Sequence, residues 1–293
     1  MKLLITGGSG FCGRLLKTFF TERGDTVTIV SRQNGGWERL PELFERADAV
    51  INLAGRSVNC RYTPDNCAEI YASRLDTTRA VGAAIAACTN PPKVWLNAST
   101  ATIYRDARDR EMDEAKGELG KGFSVDVAKR WEQALFDANT PRTRKVALRA
   151  AMVMGKGEGK GNDGVFAAFL GLTKAGLGGP MAGGGQFVSW IHATDFCHAV
   201  AFCIEQESLS GAINLAAPEP LTNRDFFAGL RRAAKIPFGL PSARWMLEVG
   251  AFMRKTETEL LLKSRRVVPG RLTQAGFTFT FPTWQAAVKD LCQ

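Results

Sequence analysis

Short apolar runs alternate with amphipathic stretches along the first half of this 293-residue chain. Five runs have the length and composition of buried strands, and helical patterns separate most of them. The runs are Lys2 to Thr6, Thr26 to Val30, Ala49 to Leu53, Val94 to Ala98 and Val146 to Arg149. Strands that alternate with helices predict a parallel sheet with helices on both faces, so the expected fold class is α/β, doubly wound.

The first strand leads directly into a glycine-rich turn, in the stretch MKLLITGGSGFCG. Gly7, Gly10 and Gly13 follow a Gly-x-x-Gly-x-x-Gly spacing, and an apolar helical pattern continues through Phe20. In a strand–turn–helix unit, such glycines permit a tight turn, a close backbone approach to a pyrophosphate and close packing of helix on strand. Free N–H groups at the helix start attract phosphates. The stretch therefore predicts a dinucleotide-binding turn.

The end of the second strand bears on which dinucleotide is bound. An acidic residue there would accept a hydrogen bond from the ribose 2′-hydroxyl of NAD, but Ser31 and Arg32 follow the strand in IVSRQ. A guanidinium forms charge-assisted contacts with a 2′-phosphate. The pattern predicts NADP(H) as the cofactor in preference to NAD(H), and the alternative is that Arg32 is a solvated surface residue.

The composition changes after Met154, where GKGEGKGNDG and then GLGGPMAGGG introduce glycine-rich loops. We therefore predict a dinucleotide-binding domain at residues 1–155 and a second region at 156–293. The chain is expected to return to the sheet at about 189–216. There, SWIHATDF reads as a strand entering a helix capped by Thr194 or Asp195, and AINLAA reads as a further strand.

Composition excludes several classes of function. The net charge of +9 suggests nucleic acid as a partner. The basic residues near the C-terminus are, however, scattered at helical spacing, as on solvated helix faces, so we predict no nucleic-acid partner. No apolar run approaches the roughly 20 residues of a membrane span, and no signal sequence is recognised. Seven cysteines and two histidines without ligand spacing predict reduced thiols and no metal site. We expect a cytoplasmic protein with a small-molecule substrate.

Three further motifs, together with the opening TGGSGFCG, connect the chain to a known superfamily. They are NLAG at 52–55, NASTATIY at 97–104 and WIHATD at 190–195. With these the chain resembles the extended short-chain dehydrogenase/reductase superfamily, of the NAD(P)-dependent epimerase/dehydratase type. SRLDTTRAV at 73–81 and VVPGRLTQAGFTFTFP at 267–282 are similar to its atypical epimerase-like branch, which has its own C-terminal domain. This resemblance implies a Rossmann sheet with a smaller, mainly helical C-terminal substrate domain.

The resemblance also implies roles for individual residues in cofactor binding. The glycine turn would surround the pyrophosphate, the NLAG segment would pass beneath the adenosine and ribose, and the fourth strand would approach the nicotinamide side. The implied cofactor-binding residues are Gly7, Ser9, Gly10, Phe11, Gly13, Ser31, Arg32, Leu53, Ala54, Gly55, Ala98 and Ser99.

The chemistry is where the sequence departs from its superfamily. Members that reduce or epimerise use Tyr-x-x-x-Lys, because the lysine lowers the phenol pKa and the phenol then moves the substrate proton. In GFSVDVAKRWEQ the tyrosine and lysine positions are occupied by Ser124 and Ala128. Lys129 is one residue away, which turns a helical side chain by about 100°, so we interpret it as a surface lysine.

Three residues remain as candidates for catalysis: Thr100, Ser99 and Arg74. By alignment, Thr100 takes the place of the hydroxyl residue that assists the tyrosine. Arg74 replaces an asparagine and would bind an anionic or carbonyl-bearing substrate, or else pair with Asp76 or Glu69 for structure. His192 and Tyr104 are interpreted as structural.

Two hypotheses of function remain open. In the first, the chain is an NADPH-dependent oxidoreductase whose substrate needs little enzymatic proton transfer, and the glycine-rich loop GLGGPMAGGGQ acts as a lid. In the second, it is an inactive or weakly active protein that senses or holds NADP(H). A sugar-nucleotide epimerase is a third reading that the missing tyrosine disfavours. The superfamily's habit of pairing through the helices after the third and fourth strands implies a homodimer.

Overall fold

The computed structural model describes residues 1–31, 35–157, 164–253, 257 and 259–293. In chain order, the described strands are β1 (Lys2–Thr6), β2 (Thr26–Val30), β3 (Ala49–Asn52), β4 (Val94–Thr100), β5 (Arg144–Ala150), β6 (Met152–Met154), β7 (Phe187–Val188), β8 (Trp190–His192), β9 (Gly211–Leu215) and β10 (Leu221–Thr222). The described α-helices are α1 (Phe11–Glu22), α2 (Leu40–Phe44), α3 (Pro64–Ala87), α4 (Phe123–Phe136), α5 (Val165–Lys174), α6 (Ala193–Glu205), α7 (Asn223–Ala233), α8 (Arg244–Met253), α9 (Glu259–Leu262), α10 (Gly270–Gln274) and α11 (Trp284–Cys292).

The main sheet of the described chain is parallel and has the strand order β2-β1-β3-β4-β5-β9. Ile5 of β1 pairs with Ile29 on one side and Ile51 on the other, so the centre of the sheet is apolar on both edges of this strand. The predicted α/β class is confirmed, and so are the five predicted strands. The fourth and fifth strands are longer than predicted, because β4 runs on to Thr100 and β5 begins at Arg144.

Helices cover both faces of this sheet. On one face, Leu16 and Phe20 of α1 and Phe196 and Val200 of α6 pack over the strands. On the other face, α2, α3 and α4 bury a cluster around Trp95. Burial on both sides explains why the strands are continuous apolar runs. It also leaves the carboxyl ends of the strands as the edge where loops gather.

A second apolar cluster lies beyond β5, among residues of the second half of the chain. It joins Phe169 of α5, Phe226 and Phe227 of α7, and Trp284 of α11, and the Phe226 and Trp284 rings stack 4.2 Å apart. Two small sheets belong to this half of the chain, a parallel pair β6–β8 and an antiparallel pair β10–β7. These elements form the smaller region, while the exact boundary at residue 155 stays a prediction.

The segment predicted to return to the sheet does so in part. Strand β9 pairs with β5 at the edge of the main sheet, and α6 packs on its face beside α1. Strand β8 pairs instead with β6, outside the main sheet. The cap predicted at Thr194 or Asp195 is wrong, because α6 begins at Ala193 and the imidazole Nδ1 of His192 accepts the Thr194 N–H at 3.2 Å.

The carboxylate of Asp195 has another task in the fold. It is fully buried and accepts the backbone N–H groups of Thr280 at 2.7 Å and Phe281 at 2.9 Å. Two amide donors satisfy a buried charge that would otherwise be costly. Asp195 therefore fixes the segment that leads into α11.

The glycine-rich loop at residues 176–186 is a packed connection, so its interpretation as a lid is wrong. A Cβ built on Gly179 would lie 2.4 Å from the carbonyl oxygen of Leu240, and Met181 is buried. Backbone bonds join the loop to its neighbour, from Leu240 N–H to the Gly176 carbonyl and from Ala182 N–H to the Ser242 carbonyl. Glycine is required here because two chain segments approach closely.

Among the described helices, none combines the length and apolar character needed to cross a membrane. The seven cysteines are all unpaired thiols. Burial raises the pKa of the Cys12 thiol to about 11, and that of Cys197 to about 12. These thiols are therefore protonated and unreactive near neutral pH.

Candidate functional site

The glycine turn between β1 and α1 is held by backbone packing. Gly7 has φ +72°, and a Cβ built on it would lie 2.6 Å from the backbone nitrogen of Ala54. A Cβ on Gly13 would lie 2.5 Å from the Cα of Gly8. These two glycines are required by the protein itself, because any side chain there would force the turn away from the neighbouring strand or the helix.

Gly10 differs from the other glycines of the turn. It is exposed, and a Cβ built on it would meet nothing closer than the Gly7 carbonyl oxygen at 3.9 Å. It is the N-cap residue of α1, which has no side-chain cap and no acidic residue in its first turn. The first amides of α1 therefore lack intrahelical partners and form the positive end of the helix dipole, which suits a phosphate group.

The other residues with an implied cofactor role lie along the same edge of the sheet. Leu53 is half-buried and Gly55 is exposed after β3, and Ala98 is half-buried in β4. Ser9 is exposed in the turn, and Ser31 follows β2. Arg32, the residue implied in the choice of NADP(H), lies outside the described residues.

Phe11 opens α1 with its ring turned toward a later part of the chain. Cβ atoms built on Gly155 and Gly164 would lie 3.0 Å and 3.3 Å from this ring. The ring therefore packs where the chain leaves β6 and enters α5. The backbone amide of Phe11 belongs to the open N-terminus of α1, and the role implied for it at a pyrophosphate stays a prediction.

Arg74 lies beside the NLAG segment, on the inner side of α3. Its Cζ is 5.0 Å from the ring of Trp131 and 3.3 Å from a Cβ built on Gly55, and Nη1 donates to the carbonyl of Ile70 at 3.2 Å. Burial lowers the pKa of its guanidinium.

The alternative pairing of Arg74 with Asp76 or Glu69 is wrong. In the described chain, Asp76 pairs with Arg79, and Glu69 with Arg56. Their exposed ion pairs leave Arg74 without a carboxylate partner in the structure as described. A half-buried cation next to Gly55, an exposed glycine at the carboxyl end of β3, suits contact with an anionic ligand.

A cavity of about 220 Å³ opens at the carboxyl ends of β4 and β5. Its strand-end side is formed by Thr100, Ala101 and Thr102 and by the start of β6. Aromatic residues of the second half of the chain and charged side chains of the 259–265 segment also line it. Ligands of open parallel α/β sheets bind at this edge, so the cavity is the candidate substrate site.

Thr100 is the predicted catalytic residue that the structure brings to the cavity. It is half-buried at the end of β4, and its Oγ1 lies 2.9 Å from Oγ1 of Thr102 and accepts the Thr102 N–H at 3.2 Å. These two contacts with Thr102 hold the Thr100 hydroxyl in a fixed orientation.

Ser99 faces away from this cavity into a buried polar network. Its hydroxyl donates to Glu132 at 2.6 Å, and Glu132 holds Arg149 through two bonds of 2.8 and 2.7 Å. Arg149 also donates to the hydroxyl of Tyr104, which donates to Asn214 of β9 at 2.9 Å. The network ties β4, α4, β5 and β9 together, and this geometry gives Ser99 and Tyr104 structural tasks.

Ser124 and Ala128, the residues predicted to stand at the Tyr and Lys positions of the missing Tyr-x-x-x-Lys pair, both lie in α4. Ala128 is fully buried, and Lys129 is exposed with its Nζ donating to the Gly120 carbonyl. The Ser124 hydroxyl donates to Glu259 at 2.5 Å. Neither position therefore offers a group that takes over the phenol's proton transfer.

Tyr62 approaches the same place from the segment before α3. Its hydroxyl lies 3.3 Å from the Ser124 Oγ, and its ring packs against Phe123 at 4.6 Å. Burial raises the pKa of its phenol, and Glu259 and Glu257 add to that effect. The phenol is therefore a neutral hydrogen-bond donor near pH 7, and its proton is directed to Ser124.

Sequence reasoning missed the charged side of the cavity: Glu259, Lys263 and Arg265. Glu259 Oε1 lies 2.7 Å from Lys263 Nζ and 3.8 Å from Arg265 Nη2. Burial alone would raise the pKa of Glu259, but the hydrogen bonds from Lys263 and Ser124 outweigh it and the pKa is lowered. These residues follow no motif and lie far from β4 along the chain, so the sequence contains no signal that connects them with Thr100.

The sequence model of the NAD dependent epimerase/dehydratase family matches residues 3–216, and a domain of unknown function, DUF1731, matches residues 243–291. The glycine turn, the strand-end cavity and this match define the class of protein. The chain belongs to the NAD dependent epimerase/dehydratase family.

Within that family, the chain is similar over nearly its whole length to epimerase family protein SDR39U1. The bovine protein is 33% identical over 306 residues, which cover 99% of both chains. A crystal structure of human SDR39U1 (isoform 2) with NADPH superposes with a TM-score of 0.90 at 30% identity, covering 100% of this chain and 99% of the human one. The UDP-glucose 4-epimerase of Thermotoga maritima, with a TM-score of 0.78 and 16% identity, shares the fold.

Metal binding, which the sequence does not predict, is the last property of the site to consider. Within the described ranges, no group of three or more His, Cys, Asp or Glu side chains has a geometry that could hold a metal ion. His192 lies apart from the cavity lining, with Nε2 3.3 Å from Asp290 Oδ2, and burial lowers the pKa of its imidazole. Its Nδ1 caps α6, and its ring packs on that of Phe281 with centroids 3.9 Å apart.

Proposed function

We propose that this chain is an NADP(H)-binding oxidoreductase-like protein that acts on a small molecule in the strand-end cavity. The observation that carries the proposal is the exposed, sterically open Gly10 at the uncapped N-terminus of α1. Of the four glycines in the turn, it is the one whose missing side chain the protein's own packing does not require. The solved human relative, described with NADPH, supports the identity of the cofactor.

The residues of the sheet edge fit a dinucleotide. The amides at the start of α1 donate to the pyrophosphate, and the backbone after β3 at Leu53 and Gly55 passes beneath the adenosine side. Arg74, beside Gly55, supplies a cation without a carboxylate partner in the described chain. The bound cofactor supplies a hydride, and the chain's own residues position the acceptor.

The cavity residues position a substrate and exclude water. The Phe169, Phe226 and Phe227 side chains form an apolar wall, and Thr100 presents a fixed hydroxyl from the end of β4. A hydrogen bond from this hydroxyl to a substrate carbonyl would polarise it as hydride arrives. Losing a general acid costs about 10² to 10⁴ in rate, so turnover without the tyrosine is slow but not forbidden.

A second function, an NADP(H) sensor or holding protein, is favoured by one observation. The Ser124 hydroxyl already donates its hydrogen bond to Glu259, and the side chain of Ala128 is a buried methyl group. The two positions that perform proton transfer elsewhere in the superfamily are thus committed to packing. Steady oxidation of NADPH on a panel of carbonyl, enone and sugar-nucleotide substrates separates the two functions. Turnover that disappears in Thr100→Val supports the oxidoreductase, and tight binding with no turnover supports the sensor.

Cofactor binding is tested by substituting Gly10. Gly10→Ala adds a methyl group in open space, so the free energy of unfolding should fall by less than about 1 kcal/mol, the scale of an N-cap change. Affinity for NADPH in a fluorescence titration should fall by about tenfold or more, equal to about 1.4 kcal/mol. Gly171→Ala, in the interior of α5 with nothing within 4 Å of its Cβ, is the matched control. Equal NADPH affinities in the two variants would contradict the proposal.

A further inference from the structure

The charged side of the strand-end cavity has an unequal number of positive and negative groups. Among the described lining residues, Lys263 and Arg265 are cations and Glu259 is the carboxylate. Glu259 serves both of them, at 2.7 Å from Lys263 and 3.8 Å from Arg265, and it also accepts the Ser124 hydroxyl. Within the part of the lining that the structure describes, the positive groups therefore outnumber the negative ones by one.

Arg265 carries that excess charge. Its side chain is 11% exposed, and its Nε has no hydrogen-bond partner among the described residues. Its Nη1 donates at 3.3 Å to the carbonyl of Ser264, next to it in the chain. Asp106 attracts Arg265 from beyond ion-pair distance, and its Oδ1 already accepts the Ser264 N–H. Burying a guanidinium with unfilled donors is costly unless a ligand completes its hydrogen bonds.

The other walls of the cavity set the size and polarity of such a ligand. A volume of about 220 Å³ is below the range of about 300 to 1,000 Å³ for pockets that hold drug-sized molecules. It equals the share of roughly seven waters in the liquid, which favours a small molecule over a whole nucleotide sugar. Four phenylalanine residues, at 169, 187, 226 and 227, also line the cavity. The ligand therefore has a small apolar or aromatic body and an anionic end.

We infer that this cavity binds a small carboxylic acid with an apolar or aromatic body. Its carboxylate lies at Arg265 and Lys263, and its body lies against the phenylalanine rings. The excess of one positive charge fits a carboxylate better than a phosphate ester, which carries about −1.5 to −2 at pH 7. Arg265 and Lys263 are then binding residues that select the substrate, and Thr100 faces the body of the acid at the strand ends.

This inference rests on the proposed function, because it names the substrate class of the same site. The two are distinguishable by measuring cofactor and acid separately. Calorimetry with phenylacetate and with phenylacetamide, a neutral molecule of the same number of non-hydrogen atoms, is carried out on the full chain with and without NADPH. Phenylacetate should bind at least tenfold more tightly than phenylacetamide at up to about 10 mM ligand.

Lys263→Gln should weaken phenylacetate binding by roughly ten- to a hundredfold, the value of a charge-assisted hydrogen bond, and leave phenylacetamide unaffected. Lys263→Arg should restore most of the affinity. Arg265→Gln should have the larger effect, and the half-buried Lys263, whose side chain is 35% exposed, keeps the test available if the substitution at the more deeply buried Arg265 fails to fold. Lys289→Gln, on the exposed side of α11, is the matched control and should behave as the unaltered chain.

Equal affinities for acid and amide, or full phenylacetate affinity in Lys263→Gln, would overturn the inference. Binding of NADPH with no binding of phenylacetate would overturn the substrate class and leave the proposed function standing. Binding of phenylacetate with no binding of NADPH would support the anion site and remove the proposed function.

Discussion

The glycine turn after β1 and the cavity after β4 and β5 lie at the same edge of one sheet, but they are built in different ways. The turn consists of neighbouring residues, and its geometry comes from the backbone of Gly7, Gly10 and Gly13. The cavity combines side chains from segments as far apart as Thr100 and Arg265. A site made of contiguous backbone is visible in a sequence, whereas one assembled by folding is not.

The buried network behind the cavity gives the largest expected effect. Glu132→Gln removes the charge partner of Arg149, whose side chain is 10% exposed, and should cost about 3–5 kcal/mol of unfolding free energy in a urea titration. The exposed pair Arg244–Glu248 is the control, and Glu248→Gln should cost less than about 1 kcal/mol. Similar losses in the two variants would mean that the region supporting the cavity does not depend on this pair.

The turn is expected to be sensitive to a single methyl group. Gly13→Ala places a Cβ 2.5 Å from the Cα of Gly8, a backbone atom that cannot rotate away. Overpacking of this kind costs about 1–3 kcal/mol, and NADPH binding should be lost with the displaced turn. Thermal unfolding and a cofactor titration measure the two effects. Unchanged stability in Gly13→Ala would show that the turn is less closely packed than the structure indicates.

The preference between the two cofactors is a prediction from sequence alone, because Arg32 lies outside the described residues. Arg32→Ala should remove most of a roughly ten- to hundredfold preference for NADPH over NADH, since a guanidinium contact to the 2′-phosphate is worth about 1.5 to 3 kcal/mol. Parallel titrations with both cofactors measure the ratio. If the ratio is the same in the variant, another residue selects the phosphate.

The pH dependence of stability gives the smallest effect. Burial lowers the pKa of His192, so the unfolded chain takes up a proton first as the pH falls through about 6.5. The contribution of the neutral imidazole to the free energy of unfolding is therefore complete above that pH and decreases below it. A proton on Nδ1 also removes the acceptor of the Thr194 N–H. His192→Asn keeps a capping oxygen and should flatten the decline between pH 7.5 and 5.5. An equal decline in the variant would assign it to other groups.

The parts of the fold that follow from local pattern were predictable. The five apolar runs became strands, and the alternation with helices determined the parallel sheet. The glycine turn was also visible, because it depends on residues close together in the chain. The replacement of Tyr-x-x-x-Lys by Ser124 and Ala128 stays a prediction from the sequence.

The parts that depend on tertiary contacts were not predictable. The loop at 176–186 has the composition of a mobile lid, but Gly178 and Gly179 in it pack closely against residues 239 and 240. Arg74 has acidic residues near it in the sequence, at 69 and 76, yet those carboxylates pair with other arginines. Nothing in the sequence shows that Tyr62 approaches Ser124, because a contact between segments that far apart exists only in the folded chain.

The place of β9 at the edge of the main sheet has a consequence for synthesis of the protein. A ribosome completes β5 at Ala150 well before it reaches Gly211, so the outer edge of β5 stays bare while about 60 residues are added. Arg271 then donates to the carbonyl of Ala212, and Asn214 to that of Val268. Strand β9 is therefore stabilised by segments that are synthesised later still. During translation, we expect the unfinished sheet edge to be the part of the nascent chain that most needs a chaperone.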